Sequence, residues 1–195
     1  MVFLFTIPSL AFTQRFSSEV FHKGFVVTNS RDTLKGSLKY DLTQNSISIL
    51  SNGKVKSYSS HNVFYFEIFD SILNNYRQFY SLPFTVSYNY KTPVFFELIF
   101  EGQLSLMVRE AIVQKQINNT GAYWGGGGLQ NVLEYSFYFL DQNGKIQFFS
   151  GRKKDLFQIM NKKTNELKKY IKDNRLDTND MRDLIRLTSF YNSLA

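Results

Sequence analysis

The 195-residue chain contains no cysteine, which removes disulfides, thiolate metal centres and cysteine nucleophiles together. Histidine occurs only at His22 and His61. A metal site built on them would need ligands that the sequence offers only as scattered carboxylates, so no metal or other cofactor is expected. Proline occurs 3 times and glycine 11 times, four of the glycines in one run from Gly125 to Gly128. Most of the chain is therefore neither linker-like nor low-complexity. After the first residues, no apolar stretch is long enough for a membrane-spanning helix, so no transmembrane span is expected in the mature chain.

Aromatic residues are abundant, at 17%, through 20 Phe and 12 Tyr. Bulky rings suit the pleated faces of strands, and the length fits one ordinary domain or a domain with a small appendage. Net charge is +7 and unevenly placed: Gly151 to Arg175 holds nine basic residues against Asp155, Glu166 and Asp173.

The opening "MVFLFTIPSLAFTQ" carries an apolar run from Val2 to Leu10 followed by small residues at Ala11 and Thr13. It reads as a secretory signal peptide over residues 1–13, cleaved after Ala11 or Thr13, although its start has no Lys or Arg. The expected location is exported, periplasmic or cell-surface associated.

From Gly24 the pattern alternates with period two, and turn residues recur at short intervals. In "TLKGSLKYDL", Leu34, Gly36, Leu38, Tyr40 and Leu42 share one face and Thr33, Lys35, Ser37, Lys39 and Asp41 the other. Asn52-Gly53 and Asn143-Gly144 mark hairpins, because both residue types tolerate positive φ. "VFYFEIFD" is apolar on both faces and predicts a central strand. Further strands are expected at "YRQFYSL", "VFFELIF", "QLSLMVREAIV" and "VLEYSFYFL", with a polar, glycine-rich connection from Gln116 to Asn131.

At Gly151 the period becomes helical. Leu156, Ile159 and Met160 form one stripe; Leu167, Tyr170, Ile171 and Leu176 a second; Leu184, Leu187, Phe190, Tyr191 and Leu194 a third. Asn161 and Asn179 are the expected N-caps of the second and third helices. The fold class is α+β: an antiparallel β-meander or small partly closed barrel over 14–150, then about three short helices in a basic subdomain over 151–195.

The glycine run invites comparison with phosphate-cradling loops, but those need a helix after the glycines. Here a strand follows and no Gly-Lys-Ser/Thr is present, so a flexible connection is expected. Tyr123 and Trp124 at its edge are candidate contact residues. Lys162, Lys163, Lys168, Lys169 and Lys172 form a candidate cationic face for anionic lipid, glycan or nucleic acid, with Glu166 able to pair with Lys162 or Lys169. Glu67, Glu97, Glu101, Glu110 and Glu134 are the carboxylates from which a hydrolytic pair would be drawn. His61, in the turn "SSHN", has no orienting third group that would make a catalytic unit with Ser59 or Ser60.

The ordered stretches "GFVVTNSRDTLKGSLKYD", "KVKSYS", "GRKKDLFQIM", "ELKKYIKDNRL" and "FYNSL" resemble a group of uncharacterised exported bacterial proteins. The resemblance covers most of the mature chain and implies an envelope-side location with a β-rich body and a helical tail. It carries no activity or catalytic residue. The functional expectation is an exported, non-enzymatic envelope protein acting as an interaction or structural module, its partner an anionic envelope surface or another envelope protein. The alternatives are a cytoplasmic nucleic-acid binder, disfavoured by export, and a carboxylate-dependent hydrolase.

Overall fold

The computed structural model describes residues 15–87, 90–117 and 128–194. The proposed signal segment, as well as Tyr123 and Trp124, lies outside the described residues. Ten strands, all paired antiparallel, form one sheet: β1 (His22–Thr28), β2 (Thr33–Asp41), β3 (Ser46–Ser51), β4 (Lys54–Ser59), β5 (Val63–Asp70), β6 (Asn75–Ser87), β7 (Tyr90–Phe100), β8 (Leu104–Ile117), β9 (Gly128–Asp141) and β10 (Ile146–Phe149). Helices α1 (Lys153–Ile159), α2 (Thr164–Asp173) and α3 (Met181–Ser193) follow, as the α+β reading requires.

The strand order is β10-β9-β8-β7-β6-β5-β1-β2-β3-β4, so two meanders meet where β1 pairs with β5. This junction forces the sheet to curl. β4 ends at Ser59 and β5 begins at Val63, a link that reaches about 14 Å when fully extended. Across a flat sheet the two strands, four places apart in the order, would be separated by about 19 Å laterally. Two opposed glycines permit the bend: Gly24 pairs with Gly36, and a Cβ on Gly24 would lie 2.1 Å from the Glu67 carbonyl oxygen. A bulge opposite Val27 and Thr28 lets both Val63 and Phe66 face inward despite their opposite parity.

The curl stops short of a closed barrel. The β7–β8 ladder begins at Glu97 and Val108 and continues only toward Phe100, so the strands part beyond that pair. The β2–β3 turn bridges the gap. The Asn45 amide oxygen accepts from the Phe95 N–H at 3.2 Å and from Arg109 Nη1 at 3.0 Å, and Arg109 also donates to the Phe95 and Leu42 carbonyls. Ser60 Oγ donates to the Pro93 carbonyl at 2.7 Å. Where β6 outruns β5, Pro83 faces Pro93, an arrangement tolerated because proline there forfeits no ladder bond on its outer side.

Both dipeptide hairpins form where the sequence places them. Asn52 and Gly53 sit at φ 51 and 72 between β3 and β4, and Gly144 has φ 76 between β9 and β10. The glycine-rich connection is narrower than expected: β8 runs through Ile117, β9 starts at Gly128, and these two residues pair. Both expected helix caps are corrected. Lys163, at φ 122 and without a side-chain cap, precedes α2, because the Lys162-Lys163 turn separates Asn161 from the helix. Asp180 caps α3 by accepting from the Arg182 and Asp183 amides, whereas Asn179 bonds Asp177.

One core fills the curled half, with Val26, Leu38, Ile47, Phe66, Phe79 and Phe95 among its fully covered members. A second joins Leu104, Leu106, Phe139 and Phe149 of the sheet to Leu156, Leu167, Leu184 and Leu187 of the helices. Asn192 fastens α3 to β8 as a strand neighbour would, accepting from the Leu104 N–H and donating to its carbonyl, each at 2.9 Å.

Candidate functional site

Five polar side chains take core-facing positions in otherwise apolar alternations. Tyr40 shares its face with Leu38, Asp70 with Ile68, Arg77 with Phe79, Glu97 with Phe95, and Glu110 with Val108. The curl brings all five together. Arg77, 5% exposed, is the hub: Nε and Nη2 donate to the two oxygens of Glu97, each at 2.7 Å. Nη1 donates to Asp70 at 2.9 Å and to the Tyr40 hydroxyl at 2.7 Å, while Nη2 also donates to Glu110 at 2.9 Å. All five guanidinium N–H donors are thereby used. Tyr40 donates in turn to Glu110, and the guanidinium lies 5.1 Å from the centre of the Phe79 ring.

These contacts leave electrostatic marks. Burial alone would push the Arg77 guanidinium down, but the bidentate Glu97 carboxylate and its neighbours hold its pKa above the ordinary value. Burial raises the Tyr40 phenol well above its ordinary range, against the pull of Arg77, and raises the Glu97 carboxyl despite Arg77. At Asp70 burial is outweighed by hydrogen bonds from Ser17, the Leu73 and Ile72 amides and Arg77, so its pKa is lowered. His22 closes the network on its outer side. Its Nδ1 accepts the Ser71 N–H at 3.1 Å, which leaves Nε2, 2.8 Å from the Ser17 carbonyl, as the donor to that oxygen.

Tyr40 and Glu110 form part of the floor of a cleft of about 620 Å³ between the β8–β9 ribbon and strands β2 to β4. That volume falls within the usual small-molecule range of roughly 300–1,000 Å³. Phe21, Val55, Ile112 and Leu133 contribute apolar walls from four separate parts of the chain. Phe21 and Val55 are 42% and 57% exposed.

The structure sorts the candidate carboxylates. Glu97 and Glu110 meet on one guanidinium; Glu67 accepts from Gln78 at 2.7 Å; Glu101 is exposed; and Glu134 pairs with Lys115 at 2.6 Å. The two carboxylates that do meet are committed to Arg77 and Tyr40. Arg77, Asp70 and Tyr40 were not singled out by sequence, although their charge or hydroxyl on an apolar stripe was the available signal. His61 occupies its expected turn, with Nε2 3.2 Å from Thr92 Oγ1, and Ser60 points instead to Pro93. No group of three or more potential metal ligands occurs among the described residues.

Lys162, Lys163, Lys168, Lys169 and Lys172 are all exposed, and two of them, Lys168 and Lys172, face a common space. They line a groove of about 580 Å³ with Lys153, Arg175, Phe157, Ile171 and Leu176. No ion pair within 4.0 Å forms at Glu166 among the described residues. No protein family, curated protein or solved structure matches the chain. The functional reading accordingly rests on this geometry.

Proposed function

We propose that the protein is a non-enzymatic binding module, exported to the cell envelope, that takes a small amphiphilic ligand into the cleft above Tyr40 and Glu110. The carrying observation is the convergence of Phe21, Val55, Ile112 and Leu133 on one concave space whose floor holds fixed polar groups. Apolar walls supply affinity, and exposed polar side chains of the cleft, Lys39 and Asp41 among them, orient the ligand. A binding role is favoured over hydrolysis because Glu97 and Glu110 are held by the same guanidinium, leaving neither positioned as an independent acid or base.

The test is titration of the full chain with decanol, decylamine and decanoate while methyl NMR signals of Val55, Ile112 and Leu133 are followed. Saturable shifts with at least one probe, abolished by Val55→Asp, are expected. Methyls unmoved by all three would remove the reading. Export is tested separately by fusing residues Met1 to Lys23 to a reporter; a reporter left in the cytoplasm would overturn that part. No helix among the described residues is long and apolar enough to cross a membrane.

A further inference from the structure

A second surface has different chemistry. The groove on the helices is lined by four exposed basic side chains, Lys153, Lys168, Lys172 and Arg175, and by no acidic residue. Of the carboxylates in the helical segment, Asp155 pairs with Arg152 at 2.9 Å, Asp180 with Arg182 at 3.7 Å and Asp183 with Arg186 at 3.1 Å, while Glu166 and Asp173 are exposed outside the groove lining. Among the described residues none of the four groove cations forms an ion pair. The arrangement works against the fold. Lys153 opens α1, where the positive end of the helix dipole disfavours a cation, and like charges converging on one space repel.

Between the cations lies apolar surface. Lys168 Nζ sits 5.5 Å from the centre of the Phe157 ring, with Ile171 and Leu176 beside it. Lys154 and Lys169 are also exposed and extend the positive field beyond the groove. Clustered Lys and Arg on an amphipathic helix, with an aromatic ring at the same level, match an anionic bilayer surface, each cation near that surface adding to the attraction. We infer that this groove docks the protein onto a membrane surface by seating anionic phospholipid headgroups between α1 and α2.

The experiment is co-sedimentation of the full chain with vesicles of phosphatidylglycerol and phosphatidylcholine, against phosphatidylcholine alone, at low and physiological salt. Binding only to the anionic vesicles, weaker at higher salt, is expected. Lys168→Glu with Lys172→Glu should reduce it at least tenfold. Lys54→Glu with Lys56→Glu, an equal charge change on exposed β4 positions, should reduce it less than about threefold. Lys153→Gln with Arg175→Gln provides a milder groove variant, and far-UV circular dichroism checks that each variant is folded. Four results would each overturn the inference: no binding to anionic vesicles, equal losses in the groove and β4 variants, full competition by inorganic phosphate, or tighter binding to single-stranded DNA than to vesicles at the same salt.

Discussion

Arg77 is the one cation paired with three buried carboxylates among the described residues. With its side chain 4% exposed and facing Asp70, Glu97 and Glu110, its replacement by methionine leaves three buried carboxylates without their cation. Breaking a buried network in this way typically costs about 3–5 kcal/mol, and urea unfolding at neutral pH should show a loss of that size for Arg77→Met. The deficit should shrink on acidification, because protonation removes the repulsion; a pH-independent deficit would contradict the network. In the native chain Asp70 and Glu97 act with opposite signs. Asp70, held below its ordinary 3.8 by its hydrogen bonds despite burial, adds stability above that value that is lost as pH falls through its folded pKa. Glu97, raised above 4.5 by burial, adds stability in acid that is lost as pH rises from 4.5 through its folded pKa. The acid-side fall below pH 3.8 should therefore weaken in Asp70→Asn, and the decline above pH 4.5 should weaken in Glu97→Gln. Exchange of the two behaviours would show that the assignments are reversed.

At the scale of elements, two devices set the shape of the sheet and the seat of the helices. Gly24 admits β5 against β1, since a Cβ there would meet the Glu67 carbonyl oxygen at 2.1 Å and the Ile68 Cα at 3.0 Å, both backbone atoms. Gly24→Ala should lower the urea midpoint and speed amide exchange in both β1 and β5, whereas Gly53→Ala, with nothing within 4 Å, should show only a left-handed backbone penalty of about 1–2 kcal/mol. Asn192 replaces a missing strand partner at Leu104. Its change to leucine strands a backbone N–H and carbonyl and should cost roughly 1–3 kcal/mol, measurable by urea unfolding; no loss would mean that water takes over both bonds. The hairpins were legible because Asn-Gly has few conformational choices. The caps were not: helix starts depend on where the preceding turn closes, and Asp180 and Asn179 are equally good capping types until Asp177 claims one of them.

In the whole molecule, the β8–β9 ribbon runs outward from the point where β7 leaves β8. Its described side chains from Ala111 to Gln116 and from Gly128 to Asn131 are exposed except Val113, whereas Leu104, Leu106 and Phe139 are buried. Hydrogen exchange should accordingly be faster in the outer ribbon than in its base by about a hundredfold or more, and uniform protection along β8 would show that something covers it. Alternation, turn dipeptides and the change to helical period determined the strands, most turns, the three helices and the α+β class, because each of these is set by residues close together in sequence. They also placed Glu97 and Glu110 among the candidates. Only the tertiary structure decided that these two share Arg77 with Asp70 and Tyr40, that Asn45 and Arg109 span the parted β7 and β8, and that Lys168 and Lys172 meet Lys153 and Arg175 around one groove. Those contacts join residues as many as 70 positions apart, as Tyr40 and Glu110 are. The Arg77 cluster and the Asn45–Arg109 bridge exist because a three-residue link between β4 and β5 obliges the sheet to curl, a constraint that no local pattern records, whereas the groove follows from how the helices pack.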